Sequence, residues 1–319
     1  MAPGNDQTAS APPDGRVIAY RIVKFAVLVL VCAAAVKLLV LDTVSVRTDQ
    51  MAPTLADGDR AVIFKLTHAW PLSELVLPLR NSPVVFDNPT LSGSTSCLRV
   101  AALSGDSIVI SRGVCYVVNK NRVARSSLPD TADILPPAFS PRDSVPPYRL
   151  PRRGASVALD SLSLRDFFFA ASLIRQENPR EHFSIRPVVY VDGRPADTLR
   201  TRDFLLYKGR LDSVPAKYEF DWFFWNRMQD YFVHSQEGKD VTLTFSLLRG
   251  GTRMYGYTFS KSCIFLLADD WQKGFDSRYF GPVLSSCVKG RVMGVLWSVA
   301  PPGSGGPRLR MGRLFRIIR

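Results

Sequence analysis

The sequence is short of the residues that build metal and redox centres. It holds five cysteines and three histidines in 319 residues. No two cysteines stand at Cys-x-x-Cys spacing, so neither a metal nor a cofactor is expected. Acidic residues are outnumbered: 28 Asp and Glu face 41 Lys and Arg, for a formal net charge of +13. Such a balance suits an anionic lipid surface or nucleic acid. Helix-turn-helix, zinc-finger and aromatic RNA-binding signatures are all missing, which leaves nucleic acid without a reading element and out of the expected partners. Long apolar runs are scarce too. Only residues 25–41, FAVLVLVCAAAVKLLVL, form one.

That run is extended by residues 17–23 and preceded by Arg16, Arg21 and Lys24. About 20 apolar residues span a bilayer core, so residues 16–41 are expected to form a transmembrane anchor whose basic residues snorkel towards its ends. The positive flank predicts a single-pass inner (plasma) membrane protein with a cytoplasmic N-terminus and an extracytoplasmic ectodomain. The competing reading is a signal peptide cleaved after Ala33-Ala34-Ala35. Residues 1–15, rich in Pro, Ala, Gly and Asp, are expected to be a flexible tail.

Beyond the anchor, apolar residues make up 46% and aromatics 11% of the chain, and the pattern is one of short strands between turn residues. Strands are expected at 61–64, 84–86, 98–103, 188–191, 241–248, 262–267 and 292–299. Residues 107–111 and 114–118 read as a hairpin across Arg112-Gly113, and 241–248 as turning at Gly250-Gly251 into a partner at 254–259. The prolines of 122–151 suggest a long irregular connection. A helix is expected over 162–175 with Asp160 or Ser161 as its N-cap. The aromatics of 218–233 fall at helical spacing, as packed core or as a membrane-interface contact. Residues 309–319 are basic and apolar, either a short helix on anionic lipid or a terminal strand with a charged outer face. Cys97, Cys115, Cys263 and Cys287 would form at least one disulfide if exported.

Four stretches, in order, carry a resemblance. The apolar segment is followed by Gln50-Met51-Ala52-Pro53-Thr54-Leu55 with Gly58-Asp59, then by Leu98-Arg99-Val100-Ala101-Ala102-Leu103-Ser104-Gly105-Asp106. Leu266-Leu267-Ala268-Asp269-Asp270 and Phe275-Asp276-Ser277-Arg278 come last. Together they resemble bacterial type I signal peptidases. The resemblance implies a mainly β, antiparallel ectodomain behind one N-terminal transmembrane helix. Its β core would comprise 42–121 and 262–319, with 122–261 as an inserted subdomain. It also implies serine endopeptidase activity on signal peptides of exported precursors, using a serine hydroxyl activated by a neutral lysine.

In this chain the nucleophile position of that family is Gln50, the general-base position is Leu98, the lysine-orienting hydroxyl position is Gly274 and its neighbouring glycine position is Ala268. Thr48 matches a hydroxyl that donates to an oxyanion. Met51, Pro53, Arg99, Asp276, Ser277 and Arg278 are retained as binding or structural residues. An amide cannot attack a carbonyl, and a leucine cannot accept a proton. The expected function is therefore a pseudoprotease that binds signal peptides or partners an active signal peptidase. The alternatives are an active signal peptidase whose dyad has migrated to Ser45, Thr48, Ser96, Ser104 or Ser262 with Lys37, Lys65 or Lys261, and an envelope scaffold using the aromatic stretch 218–233.

Overall fold

The computed structural model describes residues 15–65, 77–90, 93–119, 122–127, 141–196, 198–200, 205–207, 210–211, 218–235, 239–300 and 308–318. The expected tail lies outside them except for Gly15, which already opens helix α1 (Gly15–Leu39). The side chains of α1 from Ala19 to Ala35 are all exposed. Taken over the described residues, no helix is long and apolar enough to cross a membrane. The helix stops short of the expected end of the anchor, because Leu41 belongs to a strand.

In chain order, β1 (Leu41–Ser45), β2 (Asp59–Phe64), β3 (Pro83–Asp87) and β4 (Thr95–Leu103) come first. They are followed by β5 (Ser107–Ser111), β6 (Val114–Asn119), β7 (Arg122–Ser127), β8 (Val145–Arg149) and the short β9 (Ser156–Ala158). Helix α2 (Leu164–Glu177) leads into β10 (Phe183–Val191), β11 (Arg194–Pro195), β12 (Thr198–Arg200), β13 (Leu205–Tyr207) and β14 (Arg210–Leu211). Helix α3 (Trp222–Ser235) precedes β15 (Val241–Arg249), β16 (Thr252–Arg253), β17 (Gly256–Thr258) and β18 (Cys263–Leu267). The one-turn helix α4 (Ser277–Phe280), β19 (Val283–Leu284), β20 (Val288–Ala300), β21 (Arg308–Leu309) and β22 (Arg316–Ile317) close the chain.

The protein is mainly β and antiparallel. Its largest sheet runs β1-β2-β20-β3-β4-β18-β19, with β21 and β22 also paired to β20. Strands from the two ends of the sequence therefore alternate: β20 lies between β2 and β3, and β18 lies beside β4. Central position explains their composition. All five side chains of β18 are buried, as are the first four of β3, the near-continuous apolar pattern of a strand covered on both faces. This sheet encloses one core around Met51, Leu55, Val84, Leu98, Val100 and Val292.

A second core lies between α2, α3 and the sheet β11-β10-β15-β16. The aromatic stripe of α3 is committed to it. Trp222, Trp225 and Phe232 are buried, and Trp225 contacts the rings of Phe168 on α2 and Phe245 on β15. That burial withdraws these rings from any membrane-interface or scaffold contact. The hairpin β5–β6 pairs with β7 and β8 in a four-stranded sheet.

Several expectations are corrected. The helix begins at Leu164, capped by Ser163, whose Oγ accepts from the Asp166 N–H at 3.3 Å. Asp160 and Ser161 instead lie in a short 3-10 turn. The proline-rich 122–151 carries β7 and β8 at its ends; residues 128–140 between them lie outside the described residues. After Gly250-Gly251, β15 pairs with the two residues of β16 and its Leu247 carbonyl accepts from the Met254 N–H at 2.9 Å, after which β17 crosses to β9. The C-terminal stretch is two short strands joined by a 3-10 turn. All five cysteines are free thiols. The four of the β region sit on β4, on β6, on β18 and just before β20.

Candidate functional site

The loop between β1 and β2 carries the motif at 49–60. It is held from both sides of the sheet. Met51 and Leu55 are buried in the first core, and the Leu55 N–H donates to the Met51 carbonyl at 2.8 Å. At the loop's end Gly58 has φ +87°, and a Cβ there would overlap the Val299 carbonyl oxygen at 1.8 Å, so the strand entry requires glycine. Asp59 accepts from the Ala56 N–H at 2.9 Å and from Arg313 Nε at 2.9 Å. Arg313 and Arg316 also donate to the Pro53 carbonyl at 3.4 and 3.5 Å. Burial alone would raise the Asp59 carboxyl, but donors from Arg313, Ser298 and the Ala56 amide outweigh it and bring it below its ordinary value. The C-terminal arm thus fastens the loop, a role for Arg313 that no sequence pattern announces.

Gln50 and β4 are brought together. Gln50 Nε2 donates to the Cys97 carbonyl at 3.3 Å, and its own backbone carbonyl accepts from the Asp270 N–H at 2.9 Å. Leu98 follows Cys97 and is fully buried in the first core with Met51, Val84 and Ala268. No titratable group occupies either position. Burial, and next the Asp269 carboxylate, push the Cys97 thiol up to about 12, so it is a neutral thiol and no substitute nucleophile. Thr48 is exposed on the same loop.

Gly274 lies against Ala268. A Cβ built on Gly274 would come within 2.1 Å of the Ala268 Cβ and 2.9 Å of the Asp270 carbonyl. The two departures from the resembled pattern are therefore one steric exchange: the methyl at 268 takes the space that a side chain at 274 would need.

Behind this corner the charged residues are fully engaged. Arg99 makes a bidentate pair with Asp269, both contacts at 2.6 Å, and donates to the Asn81 carbonyl at 2.6 Å and Thr54 Oγ1 at 3.1 Å. The bonds to Asp269 raise its already high pKa further. Asp276 and Arg278 are both completely buried and joined through Nε and Nη2 at 2.8 Å. Asp276 also accepts from the Ala268 N–H at 2.9 Å, Ser277 Oγ accepts from the Leu266 N–H at 3.0 Å, and Arg278 lies over the Trp271 ring at 4.3 Å. These contacts bind the loop 268–276 to β18. Asp269 and Trp271 are partners that the sequence reading did not assign, because nothing in a linear motif says which aspartate an arginine meets. A cleft of about 580 Å³ opens beside the pair, lined by Pro53, Thr54, Arg80, Arg99, Ala268 and Trp271 among others.

The alternative serines and lysines are scattered. Ser45 Oγ accepts from Arg60, Ser96 Oγ from Asn88 at 3.1 Å, and Ser104 Oγ is engaged with the backbone of Cys263 at 2.6 and 2.9 Å. Ser262 offers its backbone carbonyl to Ser285. Lys65 pairs with Asp42 at 3.3 Å, Lys37 lies in α1 and acts on the same aspartate, and Lys261 donates its backbone N–H to Glu177. Among the described residues, none of these lysines is hydrogen-bonded to any of these hydroxyls.

Residues 19–149 match the family described as signal peptidase, peptidase S26. Over those residues the chain is similar to a signal peptidase domain. The match takes in the described side chains of α1, the loop with Gln50, strand β4 and the sheet β5 to β8. The loop 268–276 and its ion pairs lie beyond it in sequence, yet the sheet brings them against the signal peptidase motif. No curated protein matches the chain.

One further geometric feature belongs to this site. β18 pairs with β4 only from Arg99 to Leu103, so Thr95 to Leu98 project beyond its end. On the other side, the Val100 N–H donates to the Ser82 carbonyl and the Asn88 N–H to the Ser94 carbonyl. Antiparallel alternation then directs the backbone groups of Ser96 and Leu98 towards β3, and those of Thr95 and Cys97 towards an edge that no described strand pairs with.

Proposed function

We propose that this protein is a membrane-anchored member of the signal peptidase family that binds the extended segment of signal peptides without cleaving them. The observation that carries the reading is the pair Gln50 and Leu98. One presents an amide and the other a sealed apolar side chain where the family chemistry needs a hydroxyl and a base. Removing either member of such a pair removes almost all acceleration of the chemical step. The exchange between Ala268 and Gly274 supports it, since the space that a lysine-orienting side chain would fill is already taken. The open edge of β4 supports the binding half, because adding an extended peptide to a strand edge needs backbone groups and not a nucleophile. The anchor half is supported by the exposure of the apolar side chains of α1, which need an apolar surrounding, and by Arg16, Arg21 and Lys24 on its N-terminal side, which set the cytoplasmic end.

The test is a cleavage assay with the full-length chain in detergent and an exported precursor. The wild type should leave the precursor intact. Gln50→Ser alone should supply a hydroxyl without a base, and Leu98→Lys alone a base without a nucleophile, so both should remain inactive. Robust cleavage by the wild type, abolished by mutating another serine and lysine, would overturn the reading.

A further inference from the structure

The side chain of Gln50 occupies the open edge of β4. Its Nε2 donates to the Cys97 carbonyl, the acceptor that an incoming strand would use, and a primary amide presents the same N–H donor as a peptide bond. The contact is 3.3 Å, beyond the usual N–H···O range and thus weak. The side chain is half-buried. The residue is also fastened through its backbone carbonyl to the Asp270 N–H, so the side chain can leave the edge while the loop stays in place.

We propose that Gln50 is a built-in competitor for peptide: its amide covers the Cys97 carbonyl in the empty protein and must swing away before an extended segment pairs with Thr95 and Cys97. The inference rests on the peptide-binding reading above and adds a gate to it. While Gln50 is seated, the protein is not competent at this edge, and apparent affinity falls by the fraction of molecules that are open. Gln50→Ala removes the competitor. Gln50→Glu keeps its length but, as a carboxylate, cannot donate to a carbonyl, and should open the edge in the same sense.

The experiment measures the anisotropy of a short fluorescein-labelled peptide with alanine at alternate positions, bound to the full-length chain in detergent. A copy N-methylated at every second amide, in each of the two registers, serves as the second probe. Gln50→Ala and Gln50→Glu should both bind the parent peptide about two- to tenfold more tightly than the wild type, the fold-change worth one net hydrogen bond. The copy methylated at the donating amides should lose that gain. Equal or weaker binding by both variants would overturn the gate and leave peptide binding standing. Equal gain for parent and both methylated copies would also overturn it, since the edge would not be what the peptide pairs with. If neither wild type nor variants bind the parent peptide, the peptide-binding reading falls and the gate falls with it.

Discussion

Leu98 and Arg99 are neighbours on β4, yet they belong to opposite parts of the site. Leu98 points into the first core among Met51, Val84 and Val100. Arg99 points the other way, into a network that reaches Asp269, Asn81 and Thr54. Gln50 and Leu98 offer neither a hydroxyl nor a base, whereas the charged frame behind them is complete down to the buried Asp276–Arg278 pair. The difference follows from what each set of residues supports. A buried ion paired with its partner is costly to remove on one side only, because the remaining charge is left without solvation. A nucleophile and its base contribute little to the fold, and replacing a buried lysine by leucine removes a desolvation penalty.

The largest effect is expected at the buried ion pair. Arg278→Met leaves Asp276 buried and unpaired and should destabilise the chain by about 3–5 kcal/mol in urea unfolding. A loss well under about 1 kcal/mol would mean that the frame is not held by its charges. Next, Gly274→Ser should cost about 1–3 kcal/mol through its collision with Ala268. Ala268→Gly should recover most of that cost, and simple additivity in the double-mutant cycle would break the reciprocal relation of the two positions.

A smaller effect concerns the C-terminal arm. The folded Asp59 carboxyl lies below its ordinary value, so its contribution is fully present above the unfolded pKa and is lost as pH falls through the folded one. Hydrogen exchange in 308–318 should therefore rise below about pH 4, and Arg313→Ala should already exchange fast near neutral pH. An arm equally protected in acid would show that the pair does not fasten the loop. Least of all, Gln50→Ala should change stability by no more than about 0.5 kcal/mol, since its bond is long and its side chain half-exposed. A large loss there would place Gln50 with the frame and not with the reacting corner.

The local elements were largely legible in the chain. Alternation along 107–118 and the Arg112-Gly113 turn predicted a hairpin that pairs Ile110 with Cys115, and the aromatic stripe of 218–233 predicted a helix. Where prediction failed, a longer-range contact decided. β17 leaves its expected hairpin because β9 offers it a better-placed partner, and prolines at 146 and 147 are tolerated in β8 because that strand lies at the edge of its sheet. Cys97, Cys115, Cys263 and Cys287 stayed free, standing on β4, on β6, on β18 and just before β20.

By itself the sequence determined that this is a β-rich chain behind an apolar N-terminal segment, and that neither Gln50 nor Leu98 can do a protease's chemistry, because those properties belong to side chains and their spacing. Only the tertiary structure decided that Arg99 meets Asp269, that Asp59 is met by Arg313, that Ala268 fills the space beside Gly274, and that the Gln50 amide rests on the Cys97 carbonyl. All but the Ala268–Gly274 contact join residues from distant parts of the chain. The sheet sets this frame: β20 inserts between β2 and β3 and β18 pairs on the outer side of β4, an arrangement set by burying two apolar faces at once and recorded in no local pattern.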